Sequence, residues 1–155
     1  MFGDGARYRQ VKDSVLDVFK DRIRDAAAQG QHLRIQGGNT KQFYGDTQAT
    51  AQLLDTRAHS GIVSYEPSEL VVTVRCGTPL AELEAVLAEQ GQCLAFEPPH
   101  FGDTATVGGM VACGLAGPAR AVVGGVRDHV LGVQMLNGKG ESLTFGGQVM
   151  KNVAG

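Results

Sequence analysis

Two glycine-rich stretches of this 155-residue chain carry the residues whose types and spacing could do chemistry. Residues 36–45 read QGGNTKQFYG, and residues 98–117 read PPHFGDTATVGGMVACGLAG. Glycines let a ligand approach the backbone because no Cβ stands in the way, and free N–H groups at a helix start favour an anion. The second stretch predicts a tight turn that opens a short helix. Two such loops, more than sixty residues apart, predict one ligand held from two sides.

Neither stretch fits the common phosphate-binding motifs, GxxxxGK[ST] and GxGxxG. A single glycine pair is most often a simple turn. Here, however, each pair follows a strand-like apolar run and is accompanied by hydroxyl or amide side chains, namely Asn39, Thr40, Thr104 and Thr106. These features favour a binding site, while the interpretation that both loops are only turns stays open. We expect Gly38 and Gly109 to need a positive φ or a close ligand approach.

The elements that must position these loops follow from periodicity and turn signals. Apolar residues spaced by three and four predict an amphipathic helix over 11–29 that ends at Gly30. Thr78 and Pro79 predict the start of a second helix, with the threonine hydroxyl as N-cap and Gly91 as the stop. We expect strands at 32–35, 53–55, 62–65, 70–75, 93–96, 130–136 and 141–145. Residues 137–140, NGKG, predict a hairpin between the last two strands. This order does not alternate strictly between strand and helix, which predicts an α+β fold.

Composition restricts the functional classes. The chain has 22 glycines in 155 residues, about twice the usual share, and a net charge of -2 that argues against a nucleic-acid surface. Three widely spaced cysteines read as reduced thiols and cannot hold an iron–sulfur cluster, which needs about four thiolates. With no long apolar run or signal peptide, we expect a cytoplasmic protein without a membrane span or metal site.

Four motifs in fixed order carry a resemblance to a known family: RIQGGNTKQFYG, EPPHFGDTATVGGMVACGLAGPARA, GGVRDHVLGVQMLNGKGE and FGGQVMKNVAG. They resemble the FAD-binding domain of the vanillyl-alcohol oxidase and p-cresol methylhydroxylase (PCMH) type, and within it the FAD-binding subunits of bacterial glycolate oxidases, also called glycolate dehydrogenases. The resemblance spans about 33–155. It implies a PCMH-type fold of two small α+β subdomains, with 1–96 as the first and 97–155 as the start of the second, truncated at its C-terminal end.

The resemblance also implies the residues that bind FAD. The first loop matches the turn that holds the pyrophosphate: Gln36, Gly37, Gly38, Asn39 and Thr40. The second matches the segment beside the ribityl chain and the flavin ring: Pro99, Gly102, Asp103, Thr104, Ala105, Thr106, Val107, Gly108 and Gly109, with Ala112, Cys113 and Gly114 behind it. Members that bond the flavin covalently carry a His where this chain has Asn39, or a Cys where it has Gly102. Both departures indicate non-covalent FAD.

No catalytic residue can be assigned from the sequence. His100 and His129 could act as a base because the pKa of histidine lies near neutrality, but the chain also has histidines outside these loops. Arg120, Arg127 and Lys151 could meet a phosphate or a substrate carboxylate, or face solvent. Arg127 and Asp128 are expected to form a local ion pair or a turn.

The resemblance implies an FAD-dependent subunit of a multi-subunit glycolate oxidase. Such a complex oxidises glycolate, a 2-hydroxy acid, to glyoxylate, and its electrons pass through the flavin to an iron–sulfur partner subunit. A second flavin subunit is the other expected partner, and the complex could place the chain at the inner face of the membrane. The alternative is an assembly subunit of the same fold with weak or no FAD. Residues 1–155 by themselves are expected to be inactive.

Overall fold

The computed structural model describes residues 14–45 and 51–147. Two single-turn 3-10 helices, Thr56–Ala58 and Pro67–Glu69, follow the second and third strands. The other elements, in chain order, are α1 (Ser14–Ala28), β1 (Leu33–Gln36), β2 (Gln52–Asp55), β3 (Ile62–Glu66), β4 (Val71–Val74), α2 (Leu80–Ala88), α3 (Val107–Cys113), α4 (Arg120–Val123), α5 (Val126–His129), β5 (Gly132–Leu136) and β6 (Ser142–Gly146).

The described strands form three two-stranded sheets. Strands β1 and β2 run parallel, with Leu33 opposite Gln52, whereas β3 and β4 form an antiparallel pair. Strands β5 and β6 form the predicted hairpin, with Val133 opposite Phe145. Six of the seven predicted strands are therefore present. Their mixture of parallel and antiparallel pairs with separate helices is the α+β arrangement expected from the sequence.

The main core joins α2 to α3 and α5. Leu80, Leu83 and Leu87 on α2 are spaced by three and four and are all buried, which is the pattern of a helix with one apolar face. They pack with Met110 of α3 and Val126 of α5. Ala105 and Val107, which flank Thr106 in the second glycine-rich stretch, belong to the same cluster. The core therefore lies directly beneath the second loop and fixes its position.

Helix α1 connects the first sheet to the hairpin. It buries Phe19 and Ala26, and it ends at a left-handed Gly30, as predicted; residues 11–13 of the predicted helix lie outside the described residues. The Arg22 guanidinium donates to the Leu53 carbonyl at 2.7 Å, and the Arg24 guanidinium donates to the Gly140 carbonyl at 3.3 Å. These two bonds place β2 and the hairpin turn against the same helix.

The prediction that Thr78 caps α2 is wrong. The N-cap position is taken by Pro79, and no side chain caps the helix. Thr78 is fully buried, and its hydroxyl accepts from the Gly61 N–H at 2.9 Å and donates to the Arg75 carbonyl at 2.8 Å. The hydroxyl thus stabilises the connection around β4 instead of the helix start.

Residues 93–96 do not form the predicted strand. Phe96 is buried in the core and its carbonyl accepts from the Gly117 N–H at 2.9 Å, while the Glu97 N–H closes a turn onto the Leu94 carbonyl at 3.0 Å. No ladder partner lies beside this segment in the described part of the chain. Of the apolar residues that suggested a strand, only Phe96 is buried, whereas Cys93 is exposed.

The short helices α4 and α5 were not predicted. Each has four residues, too few for a recognisable hydrophobic period. The Asp128 carboxylate accepts from the Gly125 N–H at 2.8 Å and so closes the first turn of α5. Arg127 and Asp128, which were expected to form an ion pair or a turn, lie in this single helical turn, and no ion pair joins them within the described residues.

Candidate functional site

The two glycine-rich loops lie side by side, as the sequence predicts. The Thr104 hydroxyl donates to the Gly38 carbonyl at 2.7 Å, and the Lys41 ammonium donates to the His100 carbonyl at 3.4 Å. Further along, the rings of Phe43 and Phe101 meet edge to face with centroids 5.0 Å apart. We call residues 37–40 together with residues 101–104 the cradle.

Two glycines make the close approach of the loops possible. A Cβ on Gly38 would overlap the carbonyl oxygen of Thr104, and a Cβ on Gly37 would overlap the Thr106 hydroxyl. A Cβ on Gly109, in contrast, would meet only the Thr106 hydroxyl, at 3.2 Å, and Gly109 has no positive φ. Neither Gly38 nor Gly109 has the positive φ that was one of the two expected requirements. Gly38 is instead restricted by the close approach of protein, and the close ligand approach expected for both glycines stays a prediction.

The first loop presents backbone donors that have no acceptor among the residues that the structure describes. Within the described residues, the N–H groups of Gly37, Gly38, Asn39 and Thr40 have no hydrogen-bond acceptor. Asn39 has a left-handed backbone with φ of 59°, and successive N–H groups around such a residue form a concave nest that binds anions. The first loop is therefore chemically suited to a phosphate.

The start of α3 does not offer the free donors that the sequence suggests. The Val107 N–H donates to the Thr78 carbonyl at 2.9 Å, and the Gly108 N–H donates to the Cys76 carbonyl at 2.7 Å. The Gly109 N–H donates to the hydroxyl of Thr106, the N-cap residue, at 3.2 Å. The helix start is thus occupied by protein acceptors, and the anion donors of the site come from the loops before it.

Backbone strain is concentrated at the same loops. Four non-glycine residues in the described ranges have a positive φ, and three of them are Asn39, Glu97 and Phe101. Each belongs to one of the two glycine-rich loops or to the residue just before the second. Each residue in such a backbone conformation lowers the stability of the fold by about 1–3 kcal/mol. Such residues cluster at ligand sites, where surrounding contacts hold them in place.

An unpaired polar atom lies at the entrance to the first loop. The Gln36 side-chain oxygen and the Arg34 Nε are buried, and neither has a hydrogen-bond partner within the described residues. Buried polar groups normally have partners, so these atoms are suited to an additional polar ligand. This observation agrees with a cofactor bound beside Gln36.

The remaining predicted site residues fall into two groups. Ala105, Thr106 and Val107 are buried beneath the cradle, so their side chains support the loop from below. Ala112, Cys113 and Gly114 lie at the opposite end of α3, where Gly114 caps the helix with φ of 61°. Among the basic candidates, Lys151 lies outside the described residues. The structure thus brings the two loops together but separates them from the end of α3.

Both candidate histidines make contacts with other protein groups. His100 Nε2 lies 2.9 Å from Glu84 Oε2, which links the second loop to α2. His129 Nε2 lies 3.0 Å from the Val123 carbonyl oxygen, and its ring packs beside Phe96 with centroids 5.1 Å apart. These contacts indicate a structural role for each histidine. They give no support to a catalytic role.

Two ionisable groups near the site have shifted pKa values. Burial raises the pKa of the Cys76 thiol, which lies beneath the start of α3. The guanidinium of Arg57, hydrogen-bonded to Asp55 at 2.6 Å, lowers the pKa of that carboxyl. Cys76 therefore stays a neutral thiol to higher pH than a free cysteine, and Asp55 stays ionised to lower pH than a free aspartate.

A groove that sequence reasoning missed opens at the far end of α3. It has a volume of about 630 Å³ and is lined by valines, glycines and the side chains of Arg120, Arg127 and Asp128. The groove could not be predicted because α4 and α5, which form its wall, have no sequence signature. The only available signal was the pair of arginines within the glycine-rich region.

The described residues contain no group of three metal-ligating side chains that could hold an ion. Likewise, none of the helices in 14–45 and 51–147 is both long and apolar enough to cross a membrane. The cradle is therefore a site made of backbone donors and hydroxyl groups, and its chemistry is that of anion binding.

Comparison with known proteins agrees with this chemistry. Residues 16–146 match the family described as FAD binding domain. The chain belongs to this family. FAD is accordingly the cofactor of the domain, and the unpaired donors of the first loop, the close-packed Gly38 and the unpartnered oxygen of Gln36 all fit a dinucleotide.

Two curated relatives are similar over part of their length. Glycolate oxidase subunit GlcE of Escherichia coli is 55% identical over 135 residues, which is 87% of this chain and 38% of GlcE. D-lactate dehydrogenase of Archaeoglobus fulgidus is 36% identical over 80 residues, which is 51% of this chain and 17% of that enzyme. The chain therefore spans well under half the length of these relatives. The resemblance stated from the sequence motifs is confirmed.

Solved structures confirm the fold. Alkyldihydroxyacetonephosphate synthase superposes with a TM-score of 0.64 at 19% identity, covering 88% of this chain and 25% of that one. The glucose dehydrogenase Phl p 4.0202 superposes with a TM-score of 0.69 at 14% identity, covering 84% and 27%. At such identities the likeness shows the fold alone. The predicted α+β, PCMH-type FAD-binding fold is correct.

Proposed function

We propose that this chain is the FAD-binding part of a subunit of a multi-subunit glycolate oxidase or dehydrogenase, which converts glycolate to glyoxylate. The observation that carries the proposal is the cradle, in which two loops joined by the Thr104 to Gly38 hydrogen bond present unused N–H groups. Membership of the FAD binding domain family and 55% identity to GlcE support the choice of cofactor and reaction.

The two loops would bind different parts of the cofactor. The N–H groups of Gly37, Gly38, Asn39 and Thr40 are suited to the pyrophosphate, because several backbone donors converge on one concave surface. Residues 101–104 would hold the adjoining part of FAD. Asn39 and Gly102 provide no imidazole or thiol for a covalent bond, which supports non-covalent binding.

When bound, FAD supplies the acceptor for the two electrons removed with the Cα hydrogen of a 2-hydroxy acid. The chain's own part is to bind and orient the cofactor. The Thr104 hydroxyl fixes the distance between the loops, and the core beneath Ala105 and Val107 keeps the second loop rigid. A rigid cradle orients the cofactor at a low entropic cost on binding.

The partners follow from the same assignment. The three cysteines within these 155 residues are free thiols and too few for an iron–sulfur cluster. The cluster that receives the electrons is accordingly part of the proposal, on a partner subunit. A second flavin subunit would complete the complex. We place the complex in the cytoplasm, with contact to the inner face of the membrane through its other subunits.

The test is anaerobic reduction of the full-length subunit, alone and with its co-purified partners. The proposal predicts that glycolate bleaches the flavin absorbance of the complex. When an artificial two-electron acceptor is supplied, the amount of glyoxylate formed should equal the amount of acceptor reduced. A complex that turns over glycolate while this subunit contains no flavin would contradict the proposal. That result would support the alternative of an assembly subunit.

A further inference from the structure

The groove at the C-terminal end of α3 combines positive charge with an apolar floor. Val111, Val126, Val130 and Val133 line it with apolar side chains, and Gly114, Gly124 and Gly125 also belong to its lining. Its volume of about 630 Å³ lies within the usual range for small-molecule sites, about 300–1,000 Å³. A site with this lining would bind a small molecule that has both an apolar and a charged part.

The charged side chains of the groove do not neutralise one another. Within the described part of the chain, the guanidinium groups of Arg120 and Arg127 form no hydrogen bond or ion pair with another residue. The Asp128 carboxylate accepts from the Gly125 N–H at 2.8 Å and so is used by the backbone. The groove therefore contains two guanidinium groups without a partner among the described residues and one carboxylate that is already hydrogen-bonded to the backbone. The net charge of the whole chain, in contrast, is -2. The groove is therefore complementary to an anion.

We propose that Arg120 and Arg127 bind the carboxylate of the 2-hydroxy acid in this groove; this inference rests on the proposed function. The planar guanidinium matches a carboxylate through two parallel N–H···O bonds, and such charge-assisted bonds are about twice as strong as neutral ones. Neither arginine touches the cradle, so the assignment concerns the substrate site and leaves the phosphate site unchanged.

The position of the groove relative to the cradle suits this role. Helix α3 joins them, with Gly108 at the cradle end and Gly114 at the groove end. Six residues at about 1.5 Å per residue separate these two ends of the helix by about 9 Å, which is shorter than an extended flavin dinucleotide. A carboxylate site at this distance is within reach of a cofactor whose phosphates lie in the cradle.

The experiment measures oxalate binding to the full-length, flavin-containing protein by isothermal titration calorimetry. Oxalate is a suitable probe because it carries the carboxylate but has no C–H bond to oxidise. We expect saturable binding that is weakened about tenfold or more by Arg127→Met and by Arg120→Met, since each loses a charge-assisted hydrogen bond. Lys139→Met is the matched control, because it removes one positive charge from the exposed hairpin turn, and it should leave binding unchanged.

Two further measurements identify the source of the anion and keep the test interpretable. Flavin content, read from the absorbance of each variant, should equal that of the parent protein. Loss of flavin in the arginine variants, or competition of inorganic pyrophosphate with oxalate, would overturn the proposal and assign the groove to a cofactor phosphate. Absence of saturable oxalate binding to the parent would also overturn it. If the parent protein lacks flavin, the proposed function is contradicted by that result alone. The calorimetry still shows whether the groove binds a carboxylate.

Discussion

The two ends of α3 use glycine in opposite ways. At the N-terminal end, Gly38 and Gly108 allow close contact with neighbouring protein atoms, and the donors of the helix start are already bonded. At the C-terminal end, Gly114 and Gly125 line an open groove in which two guanidinium groups have no hydrogen-bond or ion-pair partner among the described residues. A glycine-rich sequence therefore indicates special geometry without indicating whether protein or ligand fills the space.

The comparison also separates two kinds of anion recognition. The cradle offers backbone N–H groups, which carry no net charge, from a loop that is hydrogen-bonded to the second loop above the core. The groove offers charged side chains on short helices at the surface. Under our proposals the first suits a cofactor that stays bound, and the second suits a substrate that must enter and leave.

The largest effect is expected for Gly38→Ala. The added Cβ would overlap the Thr104 carbonyl oxygen, which is backbone and cannot rotate away, so the loops must separate. We expect flavin content to fall at least tenfold and stability to fall by about 1–3 kcal/mol, as for overpacked sites. Gly138→Ala is the control, because a Cβ there meets nothing within 4 Å. An unchanged flavin content in Gly38→Ala would show that the loop contact does not matter for binding.

A second test compares adjacent glycines of α3. In Gly108→Ala the Cβ would lie 2.7 Å from the Cys76 Cβ and 2.8 Å from the Cys76 carbonyl oxygen, so we expect a loss of about 1–3 kcal/mol in thermal unfolding. In Gly109→Ala the nearest atom is 3.2 Å away, and alanine favours a helix over glycine by about 1 kcal/mol. Gly109→Ala should therefore retain stability. If both variants lost the same amount of stability, the start of α3 would not be packed against Cys76 as the structure shows.

A smaller effect is expected for Thr104→Val, which keeps the shape of the side chain but removes its hydrogen bond to the Gly38 carbonyl. One such bond contributes about 1 kcal/mol, so the affinity for FAD should fall about fivefold in a fluorescence titration. Thr104→Ser retains the hydroxyl and should bind FAD like the parent. If both variants bind equally well, the hydrogen bond does not hold the cradle together.

The smallest effect concerns the reactivity of two cysteines, Cys76 beneath the start of α3 and Cys93 on the surface. Burial raises the pKa of Cys76, so its unreactive neutral thiol persists to higher pH. Iodoacetamide at pH 8 should therefore modify the exposed Cys93 first and Cys76 last, as followed by peptide mass spectrometry. The stability that this thiol contributes is present below its pKa in the unfolded chain and is lost as pH rises through the raised folded value. Modification of Cys76 before Cys93 would contradict the close packing of Cys76 against the N-terminal end of α3.

Sequence reasoning was most successful where a repeating pattern or a turn signal was long enough to read. The α1 periodicity and the Asn137-Gly138 hairpin both predicted the correct elements, and the two loops were correctly expected to meet. It failed at Thr78, whose hydroxyl is used by distant backbone groups, and at Phe96, which is buried without a strand partner. Such contacts depend on the tertiary structure, which local patterns do not encode.

The candidate site divides in the same way. The motif around Gly38 pointed to the first loop, because its glycines and small polar side chains follow one another in a short stretch of sequence. The groove brings together Val111, Arg127 and Val133 from three elements, two of them short, and no local spacing relates these residues. The arginines were therefore recognisable as candidates, but their shared environment was visible only in the structure.

The central claim is that the two loops together hold non-covalent FAD, and flavin stoichiometry tests it most directly. Full-length protein would be precipitated with acid, and the flavin absorbance of supernatant and pellet would be measured for the parent, Gly38→Ala and Gly138→Ala. The account predicts about one FAD per chain, all of it in the supernatant, for the parent and Gly138→Ala, and little for Gly38→Ala. Flavin that stays in the pellet, or equal flavin in all three proteins, would contradict it.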